Sequence, residues 1–160
     1  MEKYLPSEDI TCGYIEMGEN ILLMPTYNTF DKASSKYHIN SHEERLNEIN
    51  NRRRQFIVTQ PAILKQLITF IPKITHVLDI REITRVDGRL DEEGNLRFFD
   101  INGFPGLNMR GATSDIVNLC FLFFPTYPKE LVYEALIHTL IAGALTRNGL
   151  QVPKVINELN

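Results

Sequence analysis

Three oxygen-bearing side chains, Asp87, Asp100 and Asn102, lie within one short segment, RVDGRLDEEGNLRFFDINGFPG, which runs from Arg85 to Gly106. Two carboxylates and an amide carbonyl are ligands that hard cations such as Mg²⁺ and Mn²⁺ prefer. So small a ligand set leaves coordination positions open for water and for the phosphate oxygens of a nucleotide. The segment therefore predicts a metal site, provided that the chain brings the three side chains together.

The same segment has the pattern of a β-hairpin. Two extended stretches, Arg85–Leu90 and Leu96–Asn102, flank the turn DEEGN, whose glycine allows a positive φ. We expect the first turn residue, Asp91, to pair with the first residue of the second stretch. That register places Asp87 directly opposite Asp100.

Side chains alternate between the two faces of a strand, so the register also assigns the faces of the hairpin. Both aspartates share one face with Arg85 and Asn102. The other face carries Phe99, Ile101 and Val86, and we expect it to be a core surface. A slip of the register by one residue would reverse these assignments.

Opposed acids need a physical explanation. Two carboxylates about 5 Å apart repel each other by roughly 3 kcal/mol at an effective dielectric constant of about 20. A raised pKa on one acid, the neighbouring Arg85, or a bound cation could each relieve the repulsion. The alternative is a solvated hairpin whose acids point at water.

Length and composition restrict the class of protein. The 160 residues suit one domain, which we expect to span residues 1–160, and 43% apolar and 23% charged residues are ordinary for a globular protein. A net charge of -3 argues against binding nucleic acid through bulk charge. The sequence has no membrane-length apolar run, no secretion signal and only two cysteines. We therefore expect a cytoplasmic protein with neither nucleic acid nor membrane as a partner.

The remaining elements are predicted from hydrophobic periodicity. Asp9–Glu16 and Ile21–Pro25 have the pattern of two strands around the turn MGEN, and Thr26–Lys36 is polar and typical of a loop. Ser41–Arg54 is charged, with a few apolar residues at helical spacing. Strands and helices in this mixture predict an α+β fold.

Two helices follow from the apolar spacing. One begins after Pro61 and contains Pro72, which should kink or split it. Its apolar stripe consists of Leu64, Leu67, Ile68, Ile71, Ile74, Val77 and Leu78. The other begins near Pro128, a favourable first-turn residue, and ends before Gly149.

Several segments in order resemble the C-terminal half of ATP-grasp ligases, closest to D-alanine–D-alanine ligase. They are EKYLPSEDITCGYI, NTFDKASSKY, RVDGRLDEEGNLRFFDINGFPG and a closing helix. The resemblance covers nearly the whole chain and is weakest from His38 to Thr59 and after Asn108. It implies an α+β ATP-grasp C-terminal lobe, with an antiparallel sheet and helices packed mainly on one side.

In such ligases ATP phosphorylates a carboxylate, and an amine then attacks the acyl phosphate. The resemblance implies that Asp87, Asp100 and Asn102 hold Mg²⁺ or Mn²⁺. It further implies that Arg85 steadies the acyl phosphate and that the backbone N–H of Gly106 helps to form the oxyanion hole.

The resemblance also implies an ATP site. Its residues are Glu2, Lys3, Tyr4, Leu5, Asp9 and Lys36. Residues 2–5 match the hinge around adenine, Asp9 matches a ribose-binding position, and Lys36 matches a lysine that contacts the γ-phosphate.

Departures from the family pattern restrict these expectations. Asp9 and Asp100 stand where the family usually has Glu, which is one methylene longer. Instead of a serine-containing run that binds the substrate carboxylate, Leu107–Ala112 reads LNMRGA, in which Arg110 could bind a carboxylate or phosphate. The sequence contains no glycine-rich phosphate-binding pattern, so we expect the first ATP-binding lobe and the N-terminal substrate domain to be absent.

We therefore expect a lobe that binds ATP and Mg²⁺ within a carboxylate–amine ligase and is inactive alone. Its expected partners are ATP, an amino acid or other carboxylate substrate, and either a second copy of the chain or the missing N-terminal half. One alternative is a non-catalytic remnant or interaction module. Another is a relative of the ATP-grasp inositol phosphate kinases, whose sequences the run DINGFPG also resembles.

Overall fold

The computed structural model describes residues 4–5, 7–30, 53–109 and 115–157. Within them the strands are β1 (Asp9–Met17), β2 (Asn20–Phe30), β3 (Arg53–Ile57), β4 (Ile83–Leu90) and β5 (Leu96–Asn102). The helices are α1 (Pro61–Val77), α2 (Asp115–Phe123), α3 (Lys129–Arg147) and α4 (Lys154–Asn157).

The strands form one sheet in the order β3-β2-β1-β4-β5, and each neighbouring pair is antiparallel. The tight β1–β2 connection has Met17 opposite Asn20, and Gly18 adopts a φ of 64° that a glycine accepts without strain. β1 is the central strand of the sheet, and its residues from Asp9 to Ile15 are buried.

One face of the sheet packs against α1. Ile10, Cys12 and Tyr14 alternate along β1 and are buried against Leu67 and Ile71 of the helix. The period-two spacing of the strand and the period-four spacing of the helix residues therefore bring their apolar sides together.

The opposite face of the sheet is divided into an apolar half and a polar half. In the apolar half, Ile15 and Met24 are buried beneath α2 and α3, where Leu119 and Leu136 belong to the same cluster. The helix α4 contacts α3. In the polar half the residues are Asp9, Thr11, Asn28, Arg85 and Asp87, and the candidate site lies there.

The predicted α+β class and antiparallel sheet are confirmed. Of the four helices in the described residues, α2, α3 and α4 lie on the side of the divided face, and α1 lies on the other. The described part of the chain contains no helix long and apolar enough to cross a membrane.

The predicted end of the second strand was wrong. β2 does not end at Pro25 but continues to Phe30, and its last five residues pair with β3. The polar residues there form the inward-facing polar half of the sheet, with Thr26 and Asn28 0% and 2% exposed, instead of a loop. β3 begins at Arg53, so the last two residues of the charged stretch Ser41–Arg54 are extended, and the rest of that stretch lies outside the described residues.

The first predicted helix is confirmed, but its apolar stripe is partly wrong. Pro72 lies inside α1 without dividing it. The buried positions are Ile63, Leu67, Ile71 and Thr75. Ile68 is 63% exposed and Val77 is 80% exposed, because they lie on the side of the helix away from the sheet.

The last predicted helix is also confirmed. α3 begins at Lys129, directly after Pro128, and ends at Arg147, before Gly149. The sequence analysis did not predict α2, although the helix contains the apolar run IVNLCFLF.

Candidate functional site

The hairpin brings the predicted acids together. In the register of β4 and β5, Asp87 lies opposite Asp100 and Arg85 lies opposite Asn102, as predicted. Directly opposed residues have Cβ atoms roughly 4.5–5.5 Å apart. Two carboxylates and an amide therefore project from neighbouring positions on one face of the sheet.

The predicted pairing beside the turn was wrong by one residue. Leu90, not Asp91, lies opposite Leu96. A β-bulge between Gly88 and Asp87 leaves Phe99 as the extra residue and restores the predicted register beyond it. A Cβ atom at position 88 would lie 2.7 Å from the Arg97 carbonyl oxygen, so this close approach requires glycine.

The expected core face of β5 was also wrong. Phe99 is 56% exposed and Ile101 is 37% exposed, whereas Val86, on β4, is 1% exposed. β5 is an edge strand of the described sheet. The apolar cluster around α1 that buries Val86 includes Leu96 and Phe98 of β5, but it does not include Phe99 or Ile101.

Arg85 is the centre of the site. Its side chain is buried, and its Nη2 lies 2.8 Å from Asp87 Oδ2 and 3.5 Å from Asp100 Oδ2. Its Nε donates to the same Asp87 oxygen at 3.0 Å. Its Nη1 donates to Asp115 Oδ2 at 2.8 Å. The guanidinium thus forms ion pairs with three carboxylates.

Asp115 is a site residue that the sequence analysis missed. It is the first residue of α2, and only 7% of its surface is exposed. An acid directly before the apolar run IVNLCFLF is a typical helix-start signal, because the helix N-terminus favours negative charge. That signal would have predicted α2, although it would not have predicted the contact with Arg85.

Asp87 is held by a chain of polar side chains across three strands. Thr11 Oγ1 donates to Asp87 Oδ1 at 2.6 Å, Asn28 Nδ2 donates to Thr11 Oγ1 at 2.7 Å, and Gln55 Nε2 donates to Asn28 Oδ1 at 3.1 Å. Burial raises the pKa of Asp87, and the charge of Asp115 adds to the rise. Arg85 and Thr11 oppose the rise by stabilising the ionised form of Asp87.

The other predicted ligands are more open. The Asp100 side chain is 54% exposed. Asn102 Oδ1 accepts a hydrogen bond from the Phe104 backbone N–H at 3.1 Å. Gly106, the residue predicted to contribute to the oxyanion hole, is exposed. No group of three or more His, Cys, Asp or Glu side chains within the described ranges is arranged to hold a metal ion. Two aspartates and the amide oxygen of Asn102 are oxygen donors of the kind that a hard cation prefers.

A second arginine connects the N-terminal segment to the hairpin. Arg89 forms an ion pair with Asp9, and its Nη1 donates to the Leu5 carbonyl oxygen at 2.9 Å. Its guanidinium also lies over the Tyr4 ring, 5.4 Å from the centroid. The sequence analysis missed Arg89. Its signal is the alternation Arg85-x-Asp87-x-Arg89, which places all three side chains on one strand face.

The remaining predicted ATP residues lie outside the described residues. They are Glu2, Lys3 and Lys36. Arg110 also lies outside them. The described part of the candidate nucleotide site thus consists of Tyr4, Leu5 and Asp9, and Arg89 contacts all three.

The five-stranded antiparallel sheet with its helices is the fold of an ATP-grasp C-terminal lobe. The family model described as "D-ala D-ala ligase C-terminus" matches residues 1–142, and the chain belongs to this family. Among curated proteins, none matches the chain.

Solved structures agree in fold. The D-alanyl-alanine synthetase A of Vibrio cholerae superposes with a TM-score of 0.58 at 18% identity, over 88% of this chain and 40% of that one. The D-alanine–D-alanine ligase of Bacillus anthracis complexed with ATP gives 0.54 at 17% identity, over 99% and 42%. A second structure of that ligase gives 0.53 at 19% identity, over 99% and 44%. The chain therefore spans about two fifths of the length of these ligases.

Proposed function

We propose that the chain is the ATP- and Mg²⁺-binding lobe of a carboxylate–amine ligase that forms an amide bond through an acyl phosphate. The observation that carries the proposal is the opposition of Asp87 and Asp100 beside a buried Arg85, in a chain of the D-Ala–D-Ala ligase C-terminal family. The similarity to a ligase solved in complex with ATP supports the choice of nucleotide.

In this proposal Asp87, Asp100 and Asn102 hold Mg²⁺. When bound, the cation neutralises charge on the transferring phosphoryl group and orients its oxygens. The three donors come from two strands of one hairpin, so the backbone fixes their relative positions before any ligand arrives. The exposure of Asp100 gives a metal–nucleotide complex a route to the otherwise buried Asp87.

Arg85 then has the task of steadying the acyl phosphate, with the Gly106 backbone N–H contributing to an oxyanion hole. A guanidinium remains ionised at any physiological pH and offers donors in a fixed plane. The ion pairs of Arg85 with Asp87 and Asp100 hold that plane beside the proposed metal ligands.

The adenine side of the nucleotide site is proposed to lie at residues 2–5, with Asp9 near the ribose and Lys36 near the γ-phosphate. Arg89 supports this arrangement, since it holds the Leu5 carbonyl and the Tyr4 ring against β4. Asp9 is buried in its ion pair with Arg89, so a ribose hydroxyl would have to share the carboxylate with that guanidinium.

A metal titration tests the proposal. Mn²⁺ added to the ¹⁵N-labelled chain should broaden NMR signals around Asp87 and Asp100. Asp100→Asn should weaken this effect and leave the fold intact. Asp79→Asn serves as the matched control, because Asp79 is an exposed acid paired with Arg81 away from the site. Broadening centred elsewhere, or unchanged by Asp100→Asn, would exclude the hairpin as a metal site.

The purified 160-residue chain should not turn over ATP. Its sequence has no glycine-rich phosphate-binding pattern, and phosphoryl transfer depends mainly on positioning. We also expect nucleotide affinity of about millimolar or weaker, because a partial clamp leaves most of the ligand hydrated. A phosphate-release assay and calorimetry measure the two properties, and turnover that Asp87→Asn abolishes would contradict the first expectation.

A non-catalytic lobe is the second candidate. The observation that favours it is that Arg85 and Asp9, two residues with proposed ligand contacts, are already in buried ion pairs within the chain. In that case Mn²⁺ and ATP would leave the hairpin signals unchanged while the fold persists. The metal titration thus distinguishes the two candidates.

A further inference from the structure

A groove with apolar walls lies outside the candidate nucleotide site. It has a volume of about 510 Å³ and lies between α3, the C-terminal end of α2 and the β1–β2 hairpin. Among the described residues that line it, none carries a charge. We propose that this groove binds a cationic amphipathic helix of a partner protein. The inference goes beyond the proposed function, because the groove shares no residue with the candidate nucleotide site.

The groove lies over an apolar core but is not closed. Ile15, Val132 and Leu136 line it and are buried members of the cluster between the sheet and the helices α2 and α3. Other lining side chains remain between 36% and 58% exposed, and they are Met17, Phe124, Tyr127 and Leu131. Exposed apolar side chains that surround one opening are typical of an interaction site, whereas single exposed ones need no explanation.

The shape of the groove fits a helix. Leu131, Ala135 and Thr139 of α3 line it at a spacing of four residues, so the groove follows α3 for about 12 Å. Met17 and Leu22 of the β1–β2 hairpin complete its walls. A helix laid along α3 can therefore place two successive turns of apolar side chains in the groove, as amphipathic helices do in the grooves of their partners.

Charges beside the groove indicate the chemistry of the partner. Glu130 and Glu134 are exposed on α3 next to its lining residues, and Glu19 is exposed in the turn between β1 and β2. Within the described part of the chain, none of these three acids forms an ion pair. Lys129 is a cation at the start of α3, but its Nζ lies over the Phe121 ring, 5.3 Å from the centroid, and Phe121 does not line the groove. The rim is therefore acidic, and lysine or arginine side chains beside the apolar face of a helix complement it.

The same charges disfavour two other occupants. A second copy of the chain would place identical acidic rims against each other in a symmetric contact. An anionic membrane surface would be repelled by the rim and by the net charge of -3. A basic helix of another protein has neither disadvantage.

A synthetic amphipathic peptide of about 14 residues, built only from Leu and Lys at helical spacing, serves as the probe. One matched peptide has Glu in place of every Lys, and a second has the same composition in an order that forms no apolar face. Each peptide is titrated into the ¹⁵N-labelled chain. The Leu–Lys helix should bind at least about tenfold more tightly than either control peptide. The NMR signals of residues 17–22 and 131–139 should shift most.

Matched variants test the groove and its rim separately. Ala135→Trp fills the groove and should weaken binding of the Leu–Lys peptide about tenfold. Ala62→Trp, at an exposed position of α1 on the other face of the sheet, should leave the affinity unchanged. Glu134→Lys reverses an exposed rim charge without entering the core and should weaken binding about threefold to tenfold. Glu93→Lys makes the same change in the exposed β4–β5 turn and should alter the affinity less than about twofold.

Equal binding of the three peptides, signal shifts centred outside the groove, or an affinity that Glu134→Lys or a folded Ala135→Trp leaves unchanged would overturn the inference. Analytical ultracentrifugation of the chain alone should show a monomer. A dimer that Ala135→Trp dissociates would mean that a second copy occupies the groove, and this result would also overturn the inference. The metal titration concerns the hairpin and the peptide titration concerns the groove, so the failure of one proposal leaves the other standing.

Discussion

Gly13 of β1 leaves room for Ile116 of α2: a Cβ atom at Gly13 would lie only 2.8 Å from Ile116 Cδ1. Gly13 is also the residue opposite Arg85 in the β1–β4 ladder. The absence of a side chain at this position therefore lets α2 lie directly on the strand beside Arg85. Asp115, the neighbour of Ile116, reaches the guanidinium as a result.

Gly13→Ala should destabilise the protein by about 1–3 kcal/mol, the usual cost of an added methyl group in a packed core. The new methyl would also approach Met24 Cε at 3.0 Å, so the surrounding side chains must shift. Urea unfolding measures the change in the free energy of unfolding. Gly103→Ala is the control, because a Cβ atom there meets nothing within 4 Å, and it should change stability by no more than about 0.5 kcal/mol. Equal effects of the two substitutions would contradict the close packing of α2 on β1.

Two adjacent residues of α1 should respond very differently to truncation. Leu67 is 1% exposed and Ile68 is 63% exposed. Leu67→Ala should cost about 2–5 kcal/mol through the lost burial and the cavity, whereas Ile68→Ala should stay within about 0.5 kcal/mol. Chemical denaturation of both variants tests which side of α1 faces the sheet. A larger loss for Ile68→Ala would mean that the helix is rotated from the orientation described.

Two acids of the same hairpin should titrate on opposite sides of the ordinary aspartate pKa of 3.8. Burial raises the pKa of Asp87. The Asn95 backbone N–H, with further hydrogen bonds from Arg97 and Asn95, lowers the pKa of Asp91. Carboxyl ¹³C chemical shifts followed against pH measure both midpoints, and coincident midpoints would exclude the difference in environment.

These shifts have opposite consequences for stability. The pKa of Asp87 is higher in the folded state than in the unfolded state, so protonated Asp87 favours folding. This contribution to the free energy of unfolding is fully present below the unfolded-state pKa, and it is lost as pH rises through the folded-state pKa. The lowered pKa of Asp91 means that its contribution is present above the unfolded-state pKa and is lost as pH falls. The free energy of unfolding of Asp87→Asn should therefore rise relative to that of the wild type as pH increases above about 4. A constant difference across this range would contradict the raised pKa.

Both thiols should be inert in the folded protein. Burial raises the pKa of Cys12 and of Cys120 to about 12, and neither forms a disulfide. Because only the thiolate reacts readily, a chromogenic disulfide reagent at pH 8 should label neither thiol until urea unfolds the chain. Prompt labelling of one thiol under native conditions would reveal local opening of its element, β1 for Cys12 or α2 for Cys120.

The sequence predicted those features that depend on local periodicity. The alternation in the hairpin placed Arg85 and Asp87 on one face, and the apolar spacing identified α1 and α3. The polar residues of β2 were misassigned because a buried polar strand has the composition of a loop. Thr26 and Asn28 are buried only because neighbouring strands supply hydrogen bonds to the polar half, and a single segment does not reveal such partners.

The site was predicted less completely than the fold. The opposition of Asp87 and Asp100 was correct although the pairing assumed beside the turn was not, because the extra residue Phe99 restores the alignment. The contact between Arg85 and Asp115 could not be predicted, since α2 was not recognised and the two residues meet only through the packing of a helix on the sheet. The contacts of Arg89 with Tyr4, Leu5 and Asp9 are likewise made across the fold, far from Arg89 in sequence.

The bulge at Phe99 also affects how this hairpin can change during evolution. Because Phe99 is accommodated outside the regular ladder, its deletion would leave Gly88 opposite Phe98 and Asp87 opposite Asp100. The number of residues between the two acids can thus vary by one without separating them. Relatives with a shorter second strand can keep the same pair of carboxylates, so an alignment of this family should allow a gap at Phe99 instead of imposing a constant spacing.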